Sequence, residues 1–272
     1  MAIADVSNHT ISELTSLAGR TAVVTGGARG IGEAICRRYA EAGAAVVVGD
    51  LDGDLAKDVA GSVGEAHGHR VAAAAVDVAD ESSVHDLAEL AMAETGRLDI
   101  WVNNAGIYPS TPFLEMDAAT WDRVLAVNLR GSYLGARAAA RRMVDTRTAG
   151  VIVNVASTAG YRAPGPGIAH YVSSKHGVRG LTKALGVELG PHGIRVLGIA
   201  PTLIETPGIE AGRAAFEAAG LGDLLDQMAE QAPLRRNGVS DDVARVALFC
   251  ASDMSMLMTG STLAVDAGSL AS

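Results

Sequence analysis

The sequence TGGARGIG at residues 25–32 decides the fold, because it follows a short apolar run and precedes a helical pattern. In this setting Gly26 can make a tight turn, Gly30 lets a backbone approach a pyrophosphate, and Gly32 allows close packing of the helix. The helix start adds unpaired N–H groups and the positive end of a dipole, and both favour phosphate. An isolated match would indicate an ordinary glycine turn, but the flanking strand and helix favour a phosphate-binding turn.

Asp50 stands eighteen positions after Gly32, at the end of the next predicted strand. An acid at this place can accept hydrogen bonds from the adenosine ribose hydroxyls, and it would repel a 2′-phosphate. Asp50 therefore favours NAD as the cofactor over NADP, whereas Arg29 in the turn could meet a 2′-phosphate. The alternative is that Asp50 only caps the turn at residues 51–53.

The sequence YVSSK at residues 171–175 places Tyr171 and Lys175 four positions apart, on one face of a predicted helix. An ammonium near a phenol favours the phenolate and is expected to lower the tyrosine pKa from about 10. Such a phenol can give a proton to a carbonyl oxygen or take one from an alcohol. The pair alone is also typical of a solvated helix face, so its meaning depends on the rest of the chain.

Apolar runs alternate with helical stretches along the chain, and their Val, Ile and Ala residues indicate strands buried on both faces. We predict an α/β doubly wound Rossmann fold, with a central parallel sheet flanked by helices on both faces. It forms a single domain at residues 19–272, preceded by an N-terminal arm at residues 1–18. The predicted strands are 22–24, 45–48, 71–76, 100–102, 151–155, 196–200 and 262–265.

Taken in order, the motifs of the chain resemble those of the classical short-chain dehydrogenase/reductase family, over residues 19–268. Several independent matches at compatible spacings make the resemblance specific. The motifs that carry it are the glycine turn at residues 25–32, Asp77, the sequence NNAG at residues 103–106, Asn128, Ser157 and the Tyr171/Lys175 pair.

The resemblance implies a catalytic tetrad of Ser157, Tyr171, Lys175 and Asn128. Tyr171 is then the acid/base, Ser157 fixes the substrate oxygen, and Lys175 holds the nicotinamide ribose while it lowers the Tyr171 pKa. Asn128 positions a water that connects Lys175 to solvent. The alternatives are a helix-interior amide that bonds the backbone for Asn128 and a turn hydroxyl for Ser157.

The resemblance also implies cofactor contacts from the glycine turn, from the strand ends and from the loop after the sixth strand. These residues are Gly26, Arg29, Gly30, Ile31, Gly32, Asp50, Leu51, Asp77, Val78, Asn104, Ala105, Gly106, Tyr171, Lys175, Pro201, Thr202, Ile204 and Thr206. The chain departs from the family pattern at Thr202, where the family has Gly, and at Leu197, where it has Asn. Because Thr does not enter the positive-φ region cheaply, we expect this loop to differ in shape.

Substrate choice is expected to depend on a lid at about residues 206–233, where helical stretches are interrupted by glycines. Residues 205–230 hold six acids and one base, Arg213, which disfavours anionic substrates such as acyl thioesters of a carrier protein or coenzyme A. Residues expected to contact the substrate are Ser157, Tyr108, Tyr161 and Tyr171.

We therefore expect an NAD-dependent oxidoreductase that interconverts a secondary alcohol and a ketone on a neutral, apolar, cyclic, aromatic or steroid-like substrate. The alternatives are a 3-oxoacyl thioester reductase, a sugar or polyol dehydrogenase, and a redox-sensing protein that binds the nucleotide without turnover. The Tyr171/Lys175 pair with Ser157 and Asn128 disfavours the last of these. The resemblance further implies a homotetramer, built through the helices that carry Asn128 and Tyr171 and through the last strand.

The remaining composition argues against other classes of function. A formal net charge of −9 disfavours nucleic acid as a partner, and no signal-like or membrane-spanning segment is evident, so we expect a cytoplasmic protein. The two cysteines cannot make a disulfide framework, and Cys36 is expected in the core. No His or Cys spacing indicates a metal site. We expect His170 on an exposed helix face, and the alternative is that it reaches the mouth of the substrate site.

Overall fold

The computed structural model describes residues 3–208 and 224–271. Seven strands form a parallel sheet, and two short strands pair beside it. The strands are β1 (Thr21–Thr25), β2 (Ala45–Asp50), β3 (Val71–Ala75), β4 (Ile100–Asn103), β5 (Val151–Val155), β6 (Arg195–Pro201), β7 (Ile204–Glu205), β8 (Gly238–Val239) and β9 (Thr262–Val265). All seven strands predicted from the sequence lie in the sheet, within two residues of the predicted bounds.

The strand order across the sheet is β3-β2-β1-β4-β5-β6-β9, and every neighbouring pair is parallel. The order reverses between β1 and β4, so the connections leaving these two strands run in opposite directions. A crevice therefore opens at their carboxyl ends, which is where doubly wound sheets bind their ligands. The predicted Rossmann fold is confirmed.

Helices cover both faces of the sheet, and successive residues of one strand feed two separate cores. Val23 and Val24 of β1 are both fully buried, and they belong to the clusters on opposite faces. The described helices are α1 (Ile11–Thr15), α2 (Gly30–Glu41), α3 (Gly53–His67), α4 (Glu81–Thr95), α5 (Ala118–Leu125), α6 (Gly131–Asp145), α7 (Ala169–Leu189), α8 (Leu224–Gln231) and α9 (Ser240–Ala251).

The N-terminal arm is attached at its end. Helix α1 buries no side chain, and a capping box between Thr10 and Glu13 closes its first turn. Leu17 is fully buried, and its amide donates a hydrogen bond of 2.8 Å to the Ala42 carbonyl oxygen. Among the described residues, no helix has the length and apolarity to cross a membrane, and no group of His, Cys, Asp or Glu side chains is suited to a metal ion.

The predicted lid lies largely outside the described residues, since residues 209–223 fall in the gap. On either side of this gap, β7 pairs with β8 in a two-stranded parallel sheet. Ile204 of β7 is 5% exposed and joins the core on the α2 side of the main sheet. The loop after β6 is thus anchored before the lid begins.

Candidate active site

The glycine turn after β1 is packed so closely that side chains are excluded from it. Gly26 has a φ of +62°, and a Cβ atom there would lie 2.8 Å from Ala105 Cα. A Cβ atom on Gly32 would lie 2.0 Å from the Gly26 carbonyl oxygen. Asn104 Nδ2 donates to the carbonyl oxygens of Thr25 and Gly26 at 3.0 and 2.9 Å, which fixes the turn to the end of β4.

The start of α2 is suited to a pyrophosphate. The helix begins at Gly30, whose φ is +57°, and the side chain of its N-cap residue, Arg29, makes no capping hydrogen bond. A Cβ atom on Gly30 would lie 3.3 Å from Thr206 Cγ2, so the turn faces the loop after β7. Backbone N–H groups and the helix dipole are therefore aimed into the crevice, and these residues fit a dinucleotide.

The Asp50 carboxylate caps the turn after β2, as the alternative expected, and its contact with a ribose stays a prediction. Its carboxylate, in a residue only 9% exposed, accepts hydrogen bonds from Ala28 N at 3.1 Å and Asp52 N at 3.2 Å. The carboxylate therefore closes the turn after β2 and lies directly beside the glycine turn. Each oxygen keeps a lone pair for a further donor, such as a ribose hydroxyl. Arg29, which follows Ala28 in the glycine turn, is exposed.

Other predicted contacts line the same edge of the sheet. β3 ends at Ala75, one residue earlier than predicted, and the exposed Asp77 accepts a hydrogen bond from Ala79 N at 2.9 Å. Val78 behind it is buried, whereas Leu51 after β2 is 74% exposed. The exposed Leu51 and Asp77 thus lie at the ends of β2 and β3, and their contact with the adenine side of a cofactor stays a prediction.

Ser157 lies just after β5 and begins a 3-10 turn at Thr158–Gly160. Its hydroxyl oxygen accepts a hydrogen bond from Ala159 N at 3.0 Å, so it is a turn hydroxyl, as the alternative reading expected. It also forms a hydrogen bond with the Tyr171 phenol. One hydroxyl can do both, because it accepts through a lone pair while its hydrogen is free to donate.

The predicted lowering of the Tyr171 pKa is wrong in direction. Burial raises the pKa of the Tyr171 phenol, and the hydrogen bond from Ser157 only partly opposes this. Lys175 is 5% exposed, and burial lowers the pKa of its ammonium to about 8. Its Nζ lies 5.7 Å from the Tyr171 ring centre and donates to the Val155 carbonyl oxygen at 2.8 Å. Desolvation disfavours the charged form of each group.

Asn128 lies in a π-helical turn, Ala126–Arg130, between α5 and α6. Its side chain makes two hydrogen bonds to the backbone of the loop after β4. Nδ2 donates to the Ile107 carbonyl oxygen at 2.9 Å, and Oδ1 accepts from Ile107 N at 2.8 Å. Nδ2 also lies 3.2 Å from Ser174 Oγ. The amide thus bonds backbone, as the alternative expected, but in a different element from its own. Such π turns occur often at functional sites.

Besides Tyr171, two tyrosines were predicted as substrate contacts, and they lie in different places. The Tyr108 ring meets the Tyr171 ring edge to face, with centres 6.1 Å apart, and is 49% exposed. Tyr161 instead lies under the Arg179 guanidinium, and its hydroxyl donates to the Thr262 carbonyl oxygen at 3.3 Å. Tyr161 therefore contacts α7 at Arg179, about two helical turns beyond Tyr171.

The structure bears on two further expectations, one about the loop at Thr202, where Thr avoids positive φ as expected, and one about His170, which needs correction. Thr202 has no positive φ, and its N–H donates to the Val265 carbonyl oxygen at 3.1 Å, so a loop with Thr in place of Gly forms without left-handed strain. His170 is fully buried rather than exposed, and its Nδ1 accepts from Tyr171 N at 2.8 Å. Helix α7 packs against α5 and the 126–130 turn, which gives it a second covered face.

A buried polar network beneath the site was not predicted. Trp101 Nε1 donates to Asn103 Oδ1 at 2.7 Å, Asn103 Nδ2 to Asn154 Oδ1 at 2.8 Å, and Asn154 Nδ2 to Thr182 Oγ1 at 3.0 Å. The network joins β4, β5 and α7. Its member on β5, Asn154, stands three residues before Ser157. The available signal was Asn154, an amide inside an otherwise apolar strand, since a buried amide needs partners.

Comparison with known proteins agrees with this geometry. A family model described as enoyl-(acyl carrier protein) reductase matches residues 26–269. The chain is 40% identical to a D-threitol dehydrogenase of Mycolicibacterium smegmatis over 253 residues, 93% of each protein. It is 41% identical to a cis-4-hydroxycyclohexanecarboxylate dehydrogenase of Sinomonas cyclohexanicum over 255 residues, 93% of this chain and 97% of that protein.

A solved structure from Beutenbergia cavernae, described as an NAD(P)-dependent gluconate 5-dehydrogenase with NADP bound at low occupancy, superposes with a TM-score of 0.85. It is 38% identical and covers 95% of this chain and 100% of its own. Membership of one family accounts for three features together: the sheet order, the glycine turn, and the grouping of Ser157, Tyr171 and Lys175. The chain belongs to the short-chain dehydrogenase/reductase family of oxidoreductases, whose fold binds a nicotinamide cofactor.

Proposed function

We propose that this protein is an NAD-dependent oxidoreductase that interconverts a secondary alcohol and a ketone on a neutral, apolar substrate. The observation that carries the proposal is the grouping of Ser157, Tyr171 and Lys175 at the carboxyl end of β5, beside the cofactor crevice. A bound nicotinamide cofactor supplies or accepts the hydride. The chain's own residues bind the cofactor, orient the substrate oxygen and transfer the proton.

Tyr171 exchanges the proton at the substrate oxygen. Because burial raises the pKa of its phenol, the group is protonated near neutral pH and able to donate to a ketone oxygen. The hydroxyl of Ser157 hydrogen-bonds the same oxygen and holds it at the phenol. Its acceptor bond from Ala159 N fixes the direction in which the hydroxyl hydrogen points.

Lys175 holds the nicotinamide ribose. One of its three N–H donors is used by the Val155 carbonyl oxygen, so two remain for ribose hydroxyls. Asn128 acts through the loop that it grips at Ile107, next to Gly106. A Cβ atom on Gly106 would lie 3.3 Å from Asn128 Oδ1 and 3.8 Å from Lys175 Nζ. The backbone at Gly106 therefore lies next to both side chains. A water placed there by Asn128 carries protons between Lys175 and solvent.

Asp50 supports NAD as the preferred cofactor. A carboxylate 3.1 Å from the backbone of the glycine turn lies where the adenosine ribose would be, and it repels a 2′-phosphate. The NADP-bound neighbour from Beutenbergia cavernae favours the other cofactor for its own site. The exposed Arg29 is the group in this chain that would support NADP.

The described mouth of the site supports an apolar substrate. Tyr108 leans on Tyr171, and Thr111 N–H ties the same loop to Gly167 at 2.9 Å, just before α7. The loop continues into Phe113 and Leu114, which are 69% and 97% exposed. Exposed rings and an exposed leucine favour contact with an apolar ring. The hydroxycyclohexanecarboxylate relative supports a cyclic substrate, although its named substrate carries a carboxylate.

A polyol substrate is the second candidate, favoured by the identity of 40% to a D-threitol dehydrogenase. An acyl thioester is the third, and it agrees with the description of the matching family model. The deciding experiment measures NADH or NADPH formation with purified protein on cyclic alcohols, steroids, polyols and hydroxyacyl thioesters. Turnover of neutral cyclic alcohols with NAD supports the proposal. Turnover of polyols alone, or of thioesters with NADP alone, contradicts it.

We further propose a homotetramer. Exposed apolar side chains on the two long helices support self-association, since Tyr133 and Val144 of α6 and Val187 of α7 are 44%, 39% and 80% exposed. Light scattering after size exclusion measures the mass directly. A monomer of 27.7 kDa in solution would contradict the proposal.

A further inference from the structure

The turn that carries Ser157 is held at both of its ends. At its start, Ser157 Oγ accepts a hydrogen bond from Ala159 N at 3.0 Å. At its end, Arg179 Nη1 donates a hydrogen bond to the Gly160 carbonyl oxygen. The second bond reaches across from the third turn of α7. The position of Ser157 therefore depends on a side chain that does not touch the reacting groups.

Arg179 is itself fixed by an aromatic ring. Its guanidinium carbon lies 3.3 Å from the centre of the Tyr161 ring, in stacking contact. The Tyr161 hydroxyl donates to the Thr262 carbonyl oxygen at 3.3 Å, which ties the ring to the edge strand β9. Within the described residues, Arg179 Nε is buried without a hydrogen-bond partner. A buried donor left unpaired is costly, which indicates that the stack and the Gly160 bond hold the guanidinium in place.

The turn also lies directly on the helix that carries the acid/base. A Cβ atom on Gly160 would lie 2.8 Å from the Lys175 carbonyl oxygen and 2.8 Å from Arg179 Cδ. Since nothing separates the turn from α7, a shift of Arg179 moves Gly160 relative to Lys175. The distance between the Ser157 hydroxyl and the Tyr171 phenol changes with it.

We propose that Arg179 is a positioning residue, which together with Tyr161 holds the Thr158–Gly160 turn so that Ser157 stays opposite Tyr171. The inference rests on the proposed role of Ser157 at the substrate oxygen. It gives Tyr161 a supporting function beside the substrate contact expected from the sequence.

A double-mutant cycle tests whether Arg179 acts through Ser157. Arg179→Leu is expected to lower kcat about tenfold, because a catalytic group displaced by a fraction of an ångström loses much of its effect. The KM for NAD should stay unchanged. In a Ser157→Ala background the same substitution should have no further effect on kcat. An equal loss in both backgrounds would show that Arg179 acts elsewhere and would overturn the proposal.

Matched variants separate the stack from general damage to α7. Tyr161→Phe keeps the ring under the guanidinium and should retain most of kcat, whereas Tyr161→Leu should behave like Arg179→Leu. Lys183→Leu removes an exposed cation one turn further along the same helix and should leave kcat at the wild-type level. Arg179→Lys keeps the charge, and a full recovery of kcat by this variant would contradict the need for a stacked guanidinium.

Hydrogen exchange gives a readout that needs no turnover. Amide exchange at residues 157–162, followed by mass spectrometry, should rise in Arg179→Leu and Tyr161→Leu but not in Lys183→Leu. If the wild-type protein turns over no substrate of the panel, the proposed function fails. The exchange result still decides whether Arg179 and Tyr161 hold the Thr158–Gly160 turn in place. Unchanged exchange in Arg179→Leu would overturn the inference.

Discussion

The two halves of the site are built on opposite principles. The nucleotide side, around the turn at residues 25–32, requires glycines, which have no side chain, since a Cβ atom on Gly26 or Gly32 would collide with backbone. The catalytic side depends on side chains that are present and shielded from water, the buried Lys175 and the partly buried Tyr171 above all. One half is a steric constraint, and the other is an electrostatic one.

This difference has an energetic consequence. The glycine turn is compatible with the stability of the fold, because its backbone groups are bonded to Asn104 and Asp50. The burial of an ammonium at Lys175 opposes folding, because a charge loses its hydration there. We therefore expect substitutions on the catalytic side to change chemistry at little cost in stability, and substitutions in the turn to change stability and cofactor binding together.

Tyr171→Phe is the strongest test of the catalytic side. Loss of the acid/base is expected to lower kcat about 1,000-fold, within the usual range for general acid–base groups. The dissociation constant for the cofactor, measured by fluorescence titration, should stay within about twofold, because the ring and its contact with Tyr108 remain. Tyr133→Phe on the surface of α6 is the control. A comparable loss of kcat in the control, or loss of cofactor binding in Tyr171→Phe, would contradict the assignment.

Lys175→Met tests whether the buried ammonium opposes folding. The pKa of Lys175 is lowered from 10.5 to about 8, so above pH 8 the folded protein releases a proton that the unfolded chain keeps. The free energy of unfolding of the wild type should thus rise relative to Lys175→Met, by about 3 kcal/mol between pH 7 and pH 10.5. Urea unfolding at several pH values measures this difference. Lys183→Met should keep the wild-type pH dependence, and a flat difference for Lys175→Met would contradict the burial argument.

Gly32→Ala tests the steric side. The new methyl group would lie 2.0 Å from the Gly26 carbonyl oxygen, so the backbone must shift, and a loss of about 2 kcal/mol in the free energy of unfolding is expected. Cofactor binding should be lost with it. Gly61→Ala, in α3 with open space around it, is the matched control and should be neutral or slightly stabilising. Equal effects of the two substitutions would show that the turn is not constrained.

The same contrast decides what the sequence could predict. The turn at residues 25–32 and the seven strands were predictable, because glycine positions and apolar runs are local patterns. Asp50 was predictable from its distance to the turn. The raised Tyr171 pKa was not, because the sign depends on how much water the assembled site excludes, and spacing along one helix gives only the attraction between the two charges.

Contacts between elements that are distant in sequence could not be predicted from the sequence either. Asn128 was expected at the site, but its grip on Ile107 joins elements that only the fold brings together. Tyr161 follows Ser157 closely in sequence and was assigned to the substrate, yet it stacks on Arg179 of α7. His170 borders Tyr171 and is buried, since a helix covered on two sides gives no simple amphipathic pattern.

Asp50→Asn gives the smallest expected effect and tests the charge on the nucleotide side. The amide oxygen can still accept a hydrogen bond from Ala28 N, which keeps the contact with the glycine turn, whereas the bond from Asp52 N is lost and the negative charge is removed. The ratio of kcat/KM for NADP to that for NAD should rise about tenfold, because a 2′-phosphate no longer meets a carboxylate and Arg29 is left to attract it.

Asp52→Asn is the control for net charge, since the exposed Asp52 caps α3 through Leu55 N and lies two residues from Asp50. It should leave the cofactor ratio unchanged. If both substitutions raise the ratio equally, general charge and not the position of Asp50 sets the preference. If neither does, shape alone governs this half of the site, and the contrast with the catalytic half becomes complete: the nucleotide side would then discriminate by steric fit without any electrostatic contribution.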